Sequence, residues 1–192
     1  MSSPPAVRRT DKLMADDQAR QFLTQGYCGR LGTVGEDGYP YCVPLLYVVL
    51  DGEIWVHNAR AQGHLRANVE RDTRACFEVD EAGAVFPYGR FECDSSIAYR
   101  SVIAFGRVRV VEDTPAKQRF FEALMTKYGN PQWAARPAGF FPRLGDITAY
   151  AMTIERLTGK ETPLPAPAEQ WPAIDRTKTP NARPPGAGLG KP

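Results

Sequence analysis

Tyr39-Pro40-Tyr41-Cys42-Val43-Pro44-Leu45-Leu46-Tyr47-Val48-Val49-Leu50-Asp51-Gly52-Glu53-Ile54-Trp55-Val56-His57 decides the fold class. Two runs rich in Val, Leu, Tyr and Trp flank Asp51-Gly52, a dipeptide that accepts the positive φ of a two-residue hairpin turn. Pro40 and Pro44 interrupt the first run. A proline cannot donate to a β ladder, so that run reads as a strand at a sheet edge or a bulge. The stretch predicts strands over 39–50 and 53–57, paired as a hairpin.

Working outward, Gly35-Glu36-Asp37-Gly38 is a turn signal, and 27–34 reads as the strand before it. Further upstream, 16–25 has a helical pattern. Asp16 is its expected N-cap, Phe22 and Leu23 form its apolar face, and Gly26 closes it. Downstream, 58–71 reads as helix, 74–79 as strand, and 81–98 as a long irregular loop carrying Phe86, Tyr88 and Phe91. A strand over 99–111 follows. Thr114-Pro115 then starts a helix that runs to Tyr128, with proline in the first turn as helices prefer. A second loop over 129–146 carries Trp133, Phe140 and Phe141, and 147–154 is the last strand. The order gives an α+β protein around a small, closed or nearly closed antiparallel barrel of six short strands.

The ends differ from the middle. Residues 1–15 read as a polar N-terminal arm, 16–161 as the folded domain, and 162–192 as a Pro/Gly-rich tail. Eight of the 17 prolines lie in the tail, which cannot build its own core. It is either disordered or lies on another surface. The extended habit of proline and the apolar anchors Trp171 and Ile174 predict that it packs on a partner subunit.

The bulk numbers exclude several classes. A net charge of +2 argues against a dedicated nucleic-acid binder. Cys28, Cys42, Cys76 and Cys93 form no C-x-x-C pair and no disulfide framework. Three of them sit in apolar runs, where free cysteine behaves as a small buried hydrophobe. That usage fits a reducing compartment. The N-terminal residues lack an apolar signal-peptide core, and no run approaches a membrane span. The expectation is a cytoplasmic protein without metal, nucleic-acid or membrane partners.

Three stretches offer chemistry. In His57-Asn58-Ala59-Arg60-Ala61-Gln62-Gly63-His64-Leu65-Arg66 a strand hands over to a helix, whose free N–H groups and positive dipole end attract anions. Arg60, His64 and Arg66 add donors, although most helix starts are simply solvated. Tyr99-Arg100-Ser101-Val102 places a polar pair in an apolar strand. Period two puts Tyr99 and Ser101 on one face, where Ser101 either offers its hydroxyl to a phosphate or faces solvent. Val43-Pro44-Leu45 either presents unpaired backbone to a flat aromatic ligand or is an ordinary proline-guarded edge.

Taken together, Gly38-Tyr39-Pro40-Tyr41, Val43-Pro44-Leu45, Ile54-Trp55-Val56-His57-Asn58-Ala59, Gly63-His64-Leu65-Arg66-Ala67-Asn68, Tyr99-Arg100-Ser101-Val102-Ile103-Ala104-Phe105-Gly106 and Ile154-Glu155-Arg156-Leu157-Thr158-Gly159-Lys160-Glu161 resemble the FMN-binding pyridoxamine 5′-phosphate oxidase-like family, in its nitroimidazole-resistance branch. The resemblance implies a small antiparallel split β-barrel with flanking helices that works as a homodimer with FMN between the barrels. It carries phosphate binding over to Asn58, Ala59, His64, Leu65, Ser101 and Val102, with Arg60, Arg66 or Arg100 as charge partner. It lays the flavin ring along Val43, Pro44 and Leu45, and puts His57 beside it at the substrate position. Many members carry a lysine where Leu65 stands, so here the phosphate charge must come from an arginine.

The function implied is an FMN-dependent oxidoreductase. It takes electrons from NADH or NADPH and reduces a small aromatic or nitro compound, with His57 orienting the acceptor. The alternative is a non-catalytic flavin- or haem-binding protein of the same fold.

Overall fold

The computed structural model describes residues 7–88, 93–130, 137 and 139–167. The chain divides into two compact units, Ala15–Val79 with Val102–Gly159, and Met1–Met14 with Asp80–Ser101 and Lys160–Pro192. The expectations placed on Phe91, Trp133, Trp171 and Ile174 concern residues outside those described.

The larger unit begins with helix α1, Asp16–Gln25. Its N-cap is Ala15 rather than Asp16. The Ala15 N–H donates to the Gln18 side chain at 3.1 Å, while Asp16 and Asp17 sit in the first turn, where carboxylates suit the helix dipole. Then follow β1 (Gly29–Val34), β2 (Pro40–Leu45), β3 (Val48–Leu50), β4 (Glu53–Ala59), helix α2 (His64–Arg71), β5 (Arg74–Pro87), β6 (Ser95–Val111), helix α3 (Thr114–Tyr128) and β7 (Ile147–Thr162). The protein is α+β, with one seven-stranded sheet in the order β2-β1-β5-β6-β7-β4-β3. The β1–β2, β1–β5, β3–β4 and β4–β7 pairings are antiparallel.

Four differences from the sequence reading have physical causes. The expected 39–50 strand breaks at Leu46-Tyr47, because Tyr47 turns inward. Its ring is fully buried 4.8 Å from that of Phe77, and its hydroxyl donates to the Leu23 carbonyl. The helix expected from 58 begins only at His64. Asn58 and Ala59 instead continue β4, opposite Thr148 and Ile147. The loop expected over 81–98 is largely strand, and β7 runs on past Ile154. Residues 80–85 are exposed along their length, so no apolar alternation marks them. The result is seven strands, of which β5, β6 and β7 have 14, 17 and 16 residues, in place of six short ones. Finally, Cys42 is exposed and Cys28 and Cys76 are half-buried, because β2 is an edge strand and Cys42 points away from the core.

Other elements follow the sequence. The Asp113 carboxylate caps α3 by accepting the Ala116 N–H at 2.8 Å. Asp51 and Gly52 both take positive φ (52° and 79°), the geometry of the hairpin turn between β3 and β4. Beneath α3, Trp55, Val48, Val111, Phe120, Leu124, Ala149 and Ala151 form a buried cluster. At Gly106 on β6, any Cβ would run into the Thr153 carbonyl of β7.

In the smaller unit, Leu13 bridges to Lys160 and the Lys12 ammonium lies 5.6 Å from the Tyr99 ring centre. Arg100 pairs with Glu81 at 2.5 Å. Among the described residues no helix is long and apolar enough to cross a membrane.

Candidate functional site

Helix α2 sets the geometry of the site. Leu65 and Val69 are buried, which fixes its inner face. Asn68 is also buried, and its amide donates to the Thr33 hydroxyl at 3.0 Å, locking the helix to β1. The outer face carries His64 and Ala67. It forms one wall of a groove of about 650 Å³, whose other wall is the β1–β2 turn and the start of β2. The Tyr41 ring meets the His64 imidazole edge-on, with centres 5.5 Å apart.

The turn is held from both sides. The Gly35 N–H donates to the Tyr39 carbonyl at 2.8 Å, and the Asp37 carboxylate accepts the Tyr39 N–H at 3.0 Å. Arg71, the last residue of α2, donates to the Val34 and Gly35 carbonyls at 2.5 and 2.8 Å. Among the described residues the lining includes the carboxylates of Glu36 and Asp37 but no lysine or arginine.

Next to this groove runs the open edge of β2. Pro44 lies opposite Arg30 and Pro40 opposite Val34. A proline has no N–H to give its ladder, so its position faces outward, and residues two apart do likewise. The open edge therefore presents the carbonyls of Pro40, Cys42 and Pro44 and the single N–H of Cys42. Val43 and Leu45 are half-buried and Pro44 is exposed.

The other candidates separate into distinct places. His57 does not line the groove. It is half-buried against α3, with its ring centre 5.7 Å from Phe120 and 5.0 Å from Phe121. Its buried Nδ1 has no hydrogen-bond partner among the described residues, and burial pushes its pKa below the usual histidine value. Two residues earlier on β4, the Trp55 indole N–H is buried and likewise unpartnered among the described residues. The Asn58 side-chain oxygen accepts the Tyr150 hydroxyl at 3.2 Å, and Ala59 is exposed.

The arginines sort by their partners. Arg66 donates to Glu70 at 2.7 Å, lies 3.5 Å from Glu112, and reaches the Thr148 hydroxyl at 3.5 Å. Two carboxylates thus balance its charge. Among the described residues Arg60 bonds only backbone carbonyls, its side chain to Gly145 at 3.1 Å and its N–H to Asp146 at 2.9 Å. Arg100 and Ser101 belong to the smaller unit, where Arg100 holds Glu81. Leu65 and Val102 have buried side chains, which leaves them only backbone to offer.

Sequence reasoning missed Tyr41, Asn68 and Arg71. Tyr41 carried a signal, since it alternates with Pro40 and Cys42 on the expected edge strand. Arg71 and Asn68 carried none, because their partners are Val34, Gly35 and Thr33, more than 30 residues away.

Comparison with known proteins adds the following. Residues 15–161 match the family described as pyridoxamine 5′-phosphate oxidase. No curated protein matches. Among solved structures, an FAD- and heme-binding protein from Mycobacterium smegmatis is similar at 21% identity and a TM-score of 0.67, covering 93% of this chain and 91% of its own. A flavocytochrome from Azotobacter vinelandii is similar at 16% identity and a TM-score of 0.71, covering 83% and 73%. A candidate 5-nitroimidazole antibiotic resistance protein from Bacteroides thetaiotaomicron is similar at 17% identity and a TM-score of 0.63, covering 78% and 85%. All three share the fold of this chain, the split barrel with flanking helices.

Proposed function

Because the chain belongs to the pyridoxamine 5′-phosphate oxidase family over residues 15–161, we propose that it is a flavin-dependent oxidoreductase, binding FMN or its dinucleotide and reducing a small aromatic or nitro compound with electrons from NADH or NADPH. The single observation that carries this reading is the open β2 edge running beside the groove that starts at His64. A flat heteroaromatic ring rimmed with donors and acceptors fits an edge that offers one N–H and three carbonyls. The exposed first turn of α2 suits a phosphate, with Gly63 extended and contributing no side-chain cap.

When bound, the flavin supplies the two-electron chemistry. The protein supplies the rest. Val43, Pro44 and Leu45 give the ring a surface, and Cys42 gives it a backbone donor. His64 and Arg60 are the phosphate partners in this reading, since Arg66 is already balanced by Glu70 and Glu112. Burial against Phe120 and Phe121 pushes the His57 pKa below the usual histidine value and favours the neutral imidazole, whose Nδ1 has no hydrogen-bond partner among the described residues and which in this reading orients the acceptor. The aromatic wall around it excludes water. That same unshared nitrogen motivates the second reading, a flavin or haem carrier without turnover.

The absorption spectrum of the protein purified without added cofactor tests both. Flavin bands, followed by NADH oxidation when a nitroaromatic acceptor is added, support the oxidoreductase. Haem bands, or flavin bands without turnover, favour the carrier. A colourless protein that takes up neither FMN nor FAD overturns the flavin reading. His64→Ala with Arg60→Ala should weaken FMN binding, at about 1.5–3 kcal/mol per lost charge-assisted hydrogen bond. Fluorescence titration measures it.

A further inference from the structure

We infer that the groove between α2 and the β1–β2 turn receives a neutral nucleoside, an aromatic base on a ribose with its vicinal diol, and that this nucleoside is the adenosine end of a flavin dinucleotide. The inference rests on the reading above in one respect, that a flavin phosphate lies at His64. His64 is where the groove meets the start of α2, and the groove continues past Ala67 and Asn68 to Gly35, Glu36 and Asp37. Whatever is attached beyond that phosphate enters it.

The lining selects the chemistry. Two carboxylates and, among the described residues, no lysine or arginine make it a poor place for a further anion. Carboxylates are good acceptors for a ribose diol, as in other nucleotide sites. Glu36 has no hydrogen bond or ion pair among the described residues, and Asp37 commits only one oxygen, to the Tyr39 N–H. Tyr39 is 74% exposed, and its ring packs on no other ring among the described residues. Such a ring is a platform on which a purine stacks without regard to its sequence of substituents. Tyr41 and His64 supply the opposite aromatic edge. Arg71 holds the turn that carries Glu36 and Asp37 against α2, so the two walls keep a fixed spacing. A volume of about 650 Å³ lies within the range of small-molecule sites.

The same nucleoside chemistry occurs in NADH, so the test separates the two sources. FMN, FAD and NADH are each titrated into the cofactor-stripped full-length protein and into Tyr39→Ala and Glu36→Gln. Both substitutions lie on an exposed turn, and thermal unfolding confirms the fold. The expected result is FAD bound about tenfold more tightly than FMN by the unaltered protein, with that ratio falling toward one in both variants. If FMN and FAD bind alike while the variants weaken NADH, the groove takes the donor's nucleoside, and the assignment to the flavin's own adenosine is overturned. If FMN and FAD bind alike and the variants leave NADH unchanged, the whole inference fails while the flavin reading stands. If neither flavin binds, the flavin reading fails. Adenosine titrated alone then decides the groove, with weaker binding to Tyr39→Ala upholding a nucleoside site and absence of binding removing it.

Discussion

His57 shows how burial sets chemistry at a single residue. Its imidazole packs edge-on against two adjacent phenyl rings, Phe120 and Phe121, and desolvation disfavours the charged form, so its folded pKa falls below the unfolded value. The sign follows directly. Below about pH 6.5 the unfolded chain takes up a proton that the folded chain resists, so the stability present above that pH is lost as the pH falls toward the folded pKa. Melting temperatures of the protein and of His57→Gln, measured from pH 5 to 8, should converge in their pH slopes above about 6.5 and diverge below it, with the variant flatter. Lys117 tells the complementary story. Only 6% exposed, its ammonium reaches Glu112 at 3.4 Å and the Ile147 carbonyl at 3.5 Å, both long. Glu112 itself is largely exposed. Lys117→Met keeps the packing and removes a poorly compensated buried charge, so stability to urea should be unchanged or higher by about 1 kcal/mol. A loss of several kcal/mol would show that the ion pair holds the fold. At this scale the sequence was informative where local chemistry speaks. The strand end and helix start of 57–66 stood out, and His64 does line the groove. Arg66's i,i+4 partner Glu70 is readable from helix spacing, but the long-range partners were invisible, because Glu112, Thr148 and Gly145 reach the 60–66 segment only through the fold.

Elements with a built-in boundary were legible. Helix α3 spans Thr114–Tyr128 as read, because Asp113 caps it and Pro115 fits only a first turn. The β5 and β6 extensions were not, because residues 80–85 face water on both sides and lose the period-two signature that marks a half-buried strand. Aromatic residues at 86, 88 and 91 then suggested a loop with a function. The β6–β7 pair offers a sharper test of the sheet itself. A Cβ at Gly106 would lie in the Thr153 carbonyl and 3.3 Å from the Glu155 nitrogen. Gly106→Ala must push two central strands apart, and should cost roughly 2–3 kcal/mol in urea unfolding. A variant as stable as its parent would mean that the strands approach less closely.

For the whole molecule, the exposed side of β6 raises the question of a partner. Ile103 and Phe105 stand two apart on it at 38–39% exposure. A row of this kind on one strand is unusual for a chain that stays alone. We propose that it meets a second copy. Sedimentation should give a dimer that dissociates when Ile103→Glu and Phe105→Glu are combined, with flavin content falling in step. An unaltered monomer that keeps its flavin would contradict this. One pairing also bears on how the chain is made. The Ile54, Trp55 and Val56 stretch of β4 is buried on both faces and pairs along one edge with β7, where Met152, Ala151 and Tyr150 lie opposite. The ribosome delivers that partner only about 90 residues later. At roughly 5–20 residues per second, β4 waits on the order of 5–20 s with this edge unpaired. Nascent chains stalled before residue 147 should therefore be the ones that chaperones hold, and release should follow the emergence of β7.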